Sequence, residues 1–359
     1  MKKRKAAAVL LLIYIMSLLS LGMSTVAAAE EYTECDVKIS SRLWELLFGR
    51  EDVAADTPGT VLLCPGGEVF GAKIRQKYIT VGDAGDSKCL KSGDILLAAN
   101  GIAIDSTDAV GRIVAESGGE PITLRIRRAG AELTERITPR LENGEWRLGI
   151  RLRDGAAGIG TVTFIDKKTG LFGGLGHAIC DRDTGDVIEM QSGIATEVVL
   201  GGLKRGAVGS PGELTGVLTG EIKGELYKNC ECGIFGILDP KDLDGLVEIA
   251  VAKKEEITEG KAEIISTVKN GKTAHFDIEL HDIDLDASGN KCFKIKVTDE
   301  ALIAISGGIV RGMSGSPIIQ NGKLIGAVTH VLVGDPSEGY GIFIENMLSA
   351  AEMPQAKAS

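Results

Sequence analysis

From Val61 onward the chain alternates short apolar and polar runs punctuated by glycine, and a two-residue period of this kind predicts half-buried strands. Val61-Leu62-Leu63, Ala72-Lys73-Ile74, Tyr78-Ile79-Thr80-Val81, Ile122 to Arg127 and Gly160 to Ile165 are such runs. Two pairs of runs join at an Asn-Gly dipeptide, which adopts the left-handed backbone of a tight hairpin turn. The first is Lys261 to Val268, Asn270-Gly271, Ala274 to Leu280; the second is Ser316 to Gln320, Asn321-Gly322, Lys323 to His330. Helical spacing stands out once in the body of the chain. Over Thr107 to Glu116, Val110, Ile113 and Val114 share a face, and Asp105 or Ser106 can cap the N-terminus. The expectation is a mainly β, antiparallel protein whose strands close into barrels.

The N-terminus follows a different pattern. Lys2, Lys3, Arg4 and Lys5 precede an uncharged stretch from Ala6 to Ala29 that has no polar face, and Ala27-Ala28-Ala29 offers an A-x-A cleavage site. This predicts an export signal over residues 1–29, long enough to serve as a membrane anchor if it is not removed. Residues 30–58, with one short amphipathic piece from Leu43 to Phe48, fit a linker. The 359 residues carry a formal charge of −10, from 50 acidic against 40 basic side chains, with no long basic run, which argues against a nucleic-acid groove. Seven cysteines are an odd number, too few and too irregular for a disulfide scaffold of this length. Only Cys230 and Cys232 are close together, and buried thiols are the better reading than a metal site. No cofactor or metal is expected.

Residues 59–140 form a compact unit in which Gly93-Asp94-Ile95-Leu96 is followed by Asn100-Gly101 and then by the Thr107 to Glu116 helix. In that order these features resemble a PDZ domain, whose helix walls a peptide groove. On this resemblance Val69, Phe70, Gly71 and Ala72 are candidates for the loop whose amides hold a peptide carboxylate, beside a strand edge that pairs with the peptide.

Chemistry is concentrated at the head of the second hairpin. Gly312-Met313-Ser314-Gly315-Ser316-Pro317 places a hydroxyl in a turn that glycines allow to bend tightly. The amides of Gly312 and Ser314 can then converge on one point, where a tetrahedral intermediate carries its negative oxygen. Ser316 is better suited to holding the turn. A serine nucleophile needs a base, and histidine has the suitable pKa. Of four histidines, His177 lies in the glycine-rich turn Gly173-Gly174-Leu175-Gly176-His177, open to approach by another segment. His275 and His281 belong to a charge-rich hairpin and are expected to face solvent, while His330 ends the strand after Ser314, where it reads most simply as a strand residue and could also line the substrate cleft.

Residues from about Gly149 to the C-terminus resemble the sporulation stage IV B peptidases. The resemblance is carried by Leu148-Gly149-Ile150, Ala156 to Thr161, Phe172 to His177, Gly312 to Pro317, Thr329 to Val333 and Gly339 to Phe343. It implies a chymotrypsin-like double β-barrel over residues 141–359, with His177 as base, Ser314 as nucleophile and Asp299 as the acid that orients the imidazole. It also implies a secreted signalling serine endopeptidase, exported from the developing spore into the space between its two membranes. Such an enzyme cuts itself and the extracytoplasmic part of a membrane complex, and so triggers intramembrane processing of a mother-cell sigma factor precursor. Two alternatives stay open: a catalytically inert, membrane-tethered PDZ binding protein, and a general quality-control protease with a PDZ module.

Overall fold

The computed structural model describes residues 61–269 and 271–352. The export segment expected at 1–29, the linker expected at 30–58 and Cys35 lie outside the described residues. The chain begins with β1 (Leu62–Pro65) and the long β2 (Val69–Asp83), followed by β3 (Ile95–Ala99), β4 (Ile102–Ala103), helix α1 (Thr107–Glu116), β5 (Ile122–Arg128) and β6 (Ala131–Ile137). A small hairpin, β7 (Arg140–Glu142) and β8 (Glu145–Arg147), leads into β9 (Arg151–Ile165). Next come β10 (Leu171–Gly174), β11 (Met190–Lys204), β12 (Glu213–Cys230), β13 (Gly233–Leu238) and β14 (Ile249–Ala250). The last part holds β15 (Gly260–Lys269), β16 (Lys272–His281), β17 (Phe293–Val297), α2 (Glu300–Ser306), β18 (Pro317–Gln320), β19 (Lys323–Leu332), β20 (Asp335–Phe343) and α3 (Ile344–Ala351).

Strands β15 to β20 close into a six-stranded antiparallel barrel in the order β15-β16-β17-β20-β19-β18. A second ring of six, β9-β10-β13-β12-β11-β2, closes through the β2–β9 pairing. Phe164, Phe235, Phe293 and Phe343 are fully enclosed, as the alternation predicts for strands with one face turned to a core. Both Asn-Gly hairpins form at the expected positions, as β15–β16 and β18–β19. Helix α1 also spans the expected residues, capped by Ser106, whose hydroxyl accepts a hydrogen bond from Ala109 N.

The boundary between the units differs from the expectation of a PDZ domain over 59–140. Residues Val69 to Arg75 of β2 pair with Thr161 to Gly155 of β9 inside the first barrel, whereas Thr80 to Asp83 pair with Arg153 to Arg151 beyond it. The register shifts between Arg75 and Thr80. The PDZ elements, from the end of β2 through β6, are therefore inserted between two strands that the first barrel also uses. Their core packs Ile79, Val81, Leu96, Val110, Val114, Ile122, Leu124 and Ile126 together.

One ion pair fixes the Gly93-Asp94 turn of that unit. Asp94 is buried and receives Arg128 Nε at 2.7 Å, Arg128 Nη2 at 2.6 Å and Lys91 N at 2.8 Å. Burial pushes its carboxyl upward, but the guanidinium and the amide outweigh that and hold it below the usual carboxylate range. Removing one partner of such a pair strands the other charge. Asp94→Asn is expected to cost about 3 kcal/mol of stability, read as a lowered thermal midpoint; an unchanged midpoint would show the pair to be dispensable.

Candidate active site

The Gly312-Met313-Ser314-Gly315 turn leads into β18, with the Met313 side chain buried beneath it. Gly312 and Gly315 take φ of 99° and 95°, a region that side chains disfavour. A Cβ on Gly315 would run into Thr161 O and Leu175 N. Met313 N donates to Val310 O, Gly315 N to Val328 O and Ser316 N to Met313 O. Among the described residues nothing accepts a hydrogen bond from Gly312 N or Ser314 N, so the turn keeps two free amide donors flanking Met313. Ser314 Oγ donates to Thr329 O at 2.8 Å.

The first barrel meets this turn along β9. Thr161 N donates to Ser314 O at 2.9 Å, Thr161 Oγ1 donates to Gly312 O at 2.8 Å, and Thr161 O accepts from Leu175 N at 3.2 Å. Leu175 opens the turn that carries His177. The His177 ring lies against that of His330, with centroids 5.0 Å apart and planes inclined by 36°. His330 directly follows Thr329, the acceptor of the Ser314 hydroxyl. These contacts close a circuit, from Ser314 through Thr161 and Leu175 to His177, then through His330 and Thr329 back to Ser314. The imidazole and the hydroxyl therefore share one seam between the barrels. A cleft of about 860 Å³ runs along His177, His330 and Arg311, within the usual size range of ligand sites.

The ring of His177 is set for base chemistry. Its Nδ1 lies 2.9 Å from Ala178 O, and a carbonyl only accepts, so Nδ1 carries the proton and Nε2 keeps its lone pair in the neutral ring. Burial lowers the His177 pKa below the ordinary 6.5, with Ala178 O partly opposing the shift. His330 is pulled down to about 4, chiefly by burial and then by His177 and Lys291. Both rings are neutral at pH 7.

Other expected site residues lie elsewhere. Asp299 caps helix α2: its Oδ1 accepts from Leu302 N at 2.7 Å and its Oδ2 from Asp277 N at 3.5 Å. The expectation that it orients His177 is corrected, since its carboxylate is taken by backbone amides and the Nδ1 proton goes to Ala178 O. Ser316 is buried and donates to Ser266 Oγ at 3.0 Å, a structural role. His275 is exposed and pairs with Glu263 at 3.0 Å. Sequence reasoning missed Thr161, and for His330 it preferred a plain strand residue to the cleft-lining role it also weighed, whereas the structure places His330 along the cleft; the available signal for both was their proximity in sequence to recognised motifs on alternating strands.

The expected carboxylate loop also needs correction. Val69, Phe70, Gly71 and Ala72 sit inside β2, paired with Thr161, Gly160, Ile159 and Gly158 of β9, while Gly71 and Ala72 pair with Thr196 and Ala195 of β11. Gly71 and Ala72 thus have strand partners on both sides, and all four residues belong to a barrel strand and not to a carboxylate-binding loop. The open edge belongs instead to the start of β9. Arg151 to Arg153 pair with β2 on one side, and the other side faces α1 across a groove of about 1140 Å³ lined by Val110, Val114, Leu148, Ile150 and Leu152. Gly149, just before this strand, has φ of 67°.

A substitution separates the two roles weighed for Asp299. Asp299→Ser retains a cap, so it is expected to leave fluorophosphonate labelling of the protein within about two-fold of the parent, whereas Asp299→Ala should cost about 1 kcal/mol of stability. A loss of labelling in Asp299→Ser as deep as in His177→Ala would make the carboxylate catalytic.

Comparison with known proteins gives the site its family. The SpoIVB peptidase S55 profile matches residues 144–348, and a PDZ domain profile matches residues 88–128. No curated protein matches the chain significantly. Among solved structures, the PDZ domain of an SdrC-like protein from Listeria monocytogenes aligns at 16% identity and a TM-score of 0.20, covering 22% of this chain and 90% of that one. The active form of the Rv3671c protease from M. tuberculosis aligns at 13% identity and a TM-score of 0.28, covering 50% and 81%; an inactive form gives 11%, 0.30, 53% and 81%. The assignment rests on the profile match. Because that match takes in more than half of the chain's 359 residues, the chain belongs to the SpoIVB peptidase S55 family and is a serine endopeptidase that also carries a PDZ domain.

Proposed function

We propose that this endopeptidase is a secreted signalling protease of sporulation, with Ser314 as nucleophile, His177 as general base and the amides of Gly312 and Ser314 as oxyanion donors. The observation that carries the catalytic part is the circuit of contacts uniting the His177 and Ser314 turns beside two free amides. The cellular part is supported by family membership and by the basic-then-apolar N-terminus. On this reading the enzyme is exported into the space between the two spore membranes, held there by the N-terminal segment until it is cut. It cleaves its own 30–58 linker and the extracytoplasmic part of a membrane complex, starting intramembrane processing of a sigma factor precursor. The groove between α1 and the start of β9 takes an extended peptide as an added strand.

Catalysis begins when the Ser314 hydroxyl turns from Thr329 O toward His177 Nε2, giving up a hydrogen bond worth about 1 kcal/mol. As Oγ attacks the peptide carbonyl, Nε2 takes its proton. The carbonyl oxygen becomes negative between Gly312 N and Ser314 N, each such donor being worth about 3–4 kcal/mol in the transition state. The imidazolium then protonates the leaving amine, and water, activated by the same ring, releases the acyl group. Ala178 O takes the tautomer-fixing part that a carboxylate plays in related mechanisms. A carbonyl dipole stabilises the imidazolium less than a full charge does, which fits an enzyme made for a few timed cuts.

In the purified full chain, a fluorophosphonate is expected to label the parent and Ser316→Ala but not Ser314→Ala, and self-shortening by mass spectrometry should follow the same pattern. Labelling that survives Ser314→Ala would remove the nucleophile assignment. The depressed His177 pKa sets the sign of the pH profile. The ring stays in its basic form to lower pH than an ordinary histidine, so the acid limb of kcat/KM should have its midpoint below 6.5. A midpoint above 6.5 would mean that a carboxylate faces the ring during catalysis.

A further inference from the structure

We propose that Thr161 and Thr163, on β9 of the first barrel, are positioning residues that hold the oxyanion-binding turn of the second barrel in its working shape. The proposal rests on the reading of Ser314 as nucleophile. Residues two apart on a strand point to the same face, and both threonines are fully buried on the face that meets the serine turn. Thr163 Oγ1 donates to Gly315 O at 2.7 Å, as Thr161 Oγ1 donates to Gly312 O at 2.8 Å, and Thr161 N adds a bond to Ser314 O at 2.9 Å. Three carbonyls of one four-residue turn are thus held by a strand from the opposite barrel.

Glycine makes this clasp necessary. A peptide unit is planar, so fixing a carbonyl fixes the N–H of the next residue and the dihedral angles on either side. Gly312 has no Cβ, and the peptide plane that follows it can flip more easily than any other in the turn. The Thr161 hydroxyl holds that plane by its carbonyl. The planes that carry the two oxyanion donors are fixed by Leu214 N on Arg311 O and by Ser316 N on Met313 O. With the intervening Gly312–Met313 plane released, the two N–H groups lose their common aim. Thr161 is fully buried and Gly312 half-buried, so the carbonyl of Gly312, once freed, would face the apolar valine side chain and seek another partner, and a flip is how it would find one. The threonines touch neither substrate nor reacting atoms in this account; they act through the turn.

Thr161→Val keeps the shape and β-branching and removes only the hydroxyl. In the full-length enzyme, kcat and the rate of Ser314 labelling are expected to fall roughly 10- to 100-fold, less than the roughly 100- to 1000-fold cost of deleting an oxyanion donor outright because both donors remain and lose only their alignment, with KM within about two-fold. Affinity for a peptide boronate, which mimics the tetrahedral state, should fall by the same factor as kcat. Thr161→Ser, which restores the hydroxyl, should recover activity to within about three-fold, and Thr163→Val should cost less than Thr161→Val because Gly315 lies beyond both donors. Should the valine variant not fold, Thr161→Ala carries the same expectation. Parental kcat and boronate affinity in a folded Thr161→Val or Thr161→Ala enzyme would overturn the proposal while leaving Ser314 as nucleophile. Failure of the parent itself to be labelled at Ser314 would instead overturn the reading beneath it.

Discussion

The site depends on a buried strand of one barrel supplying hydrogen-bond partners to a glycine turn of the other. Polar groups enclosed at a seam must be paired, and Thr161 meets that demand with three bonds, to Gly312 O, to Ser314 O and from Leu175 N. One residue thereby ties the serine turn to the turn that bears His177, although the two are more than a hundred positions apart in the chain. The barrels themselves are ordinary alternating strands. What makes their seam a chemical site is that the glycines let the backbone approach closely while the threonines remove its freedom to flip.

The same strand links the site to the groove beside α1. The first residues of β9 form the groove wall against α1, its middle closes the first barrel with β2, and Thr161 and Thr163 near its end grip the serine turn. Arg153, at the groove end, reaches Asp183 at 2.8 Å and Asp181 at 3.6 Å in the loop that follows His177. The PDZ unit is thus built into the protease at two long strands, where a linker would have left it free to move.

Local chemistry was legible in the sequence and long-range partnership was not. The Asn-Gly hairpins, the Ser106 cap and the Gly312-Met313-Ser314-Gly315 turn each depend on residues within a few positions, so pattern and spacing were enough. The short helices α2 and α3 were not expected; they have seven and eight residues, too few for a convincing apolar period. Asp299 was assigned a catalytic role on family grounds, whereas its local place, three residues before Leu302 at the start of α2, is that of a cap. The Val69 to Ala72 segment was misplaced because one uninterrupted strand serves two units, and no turn residue marks where the barrel's share ends. The partnership of His330 with His177 arises only when the two barrels meet.

The most direct measurement is the crystal structure of the enzyme inactivated by a peptide phosphonate. The account predicts a bond from Ser314 Oγ to phosphorus, the phosphoryl oxygen within about 3 Å of both Gly312 N and Ser314 N, and His177 Nε2 facing the bonded serine. A phosphonate attached to another residue, or a phosphoryl oxygen turned away from those amides with His177 out of reach, would contradict it.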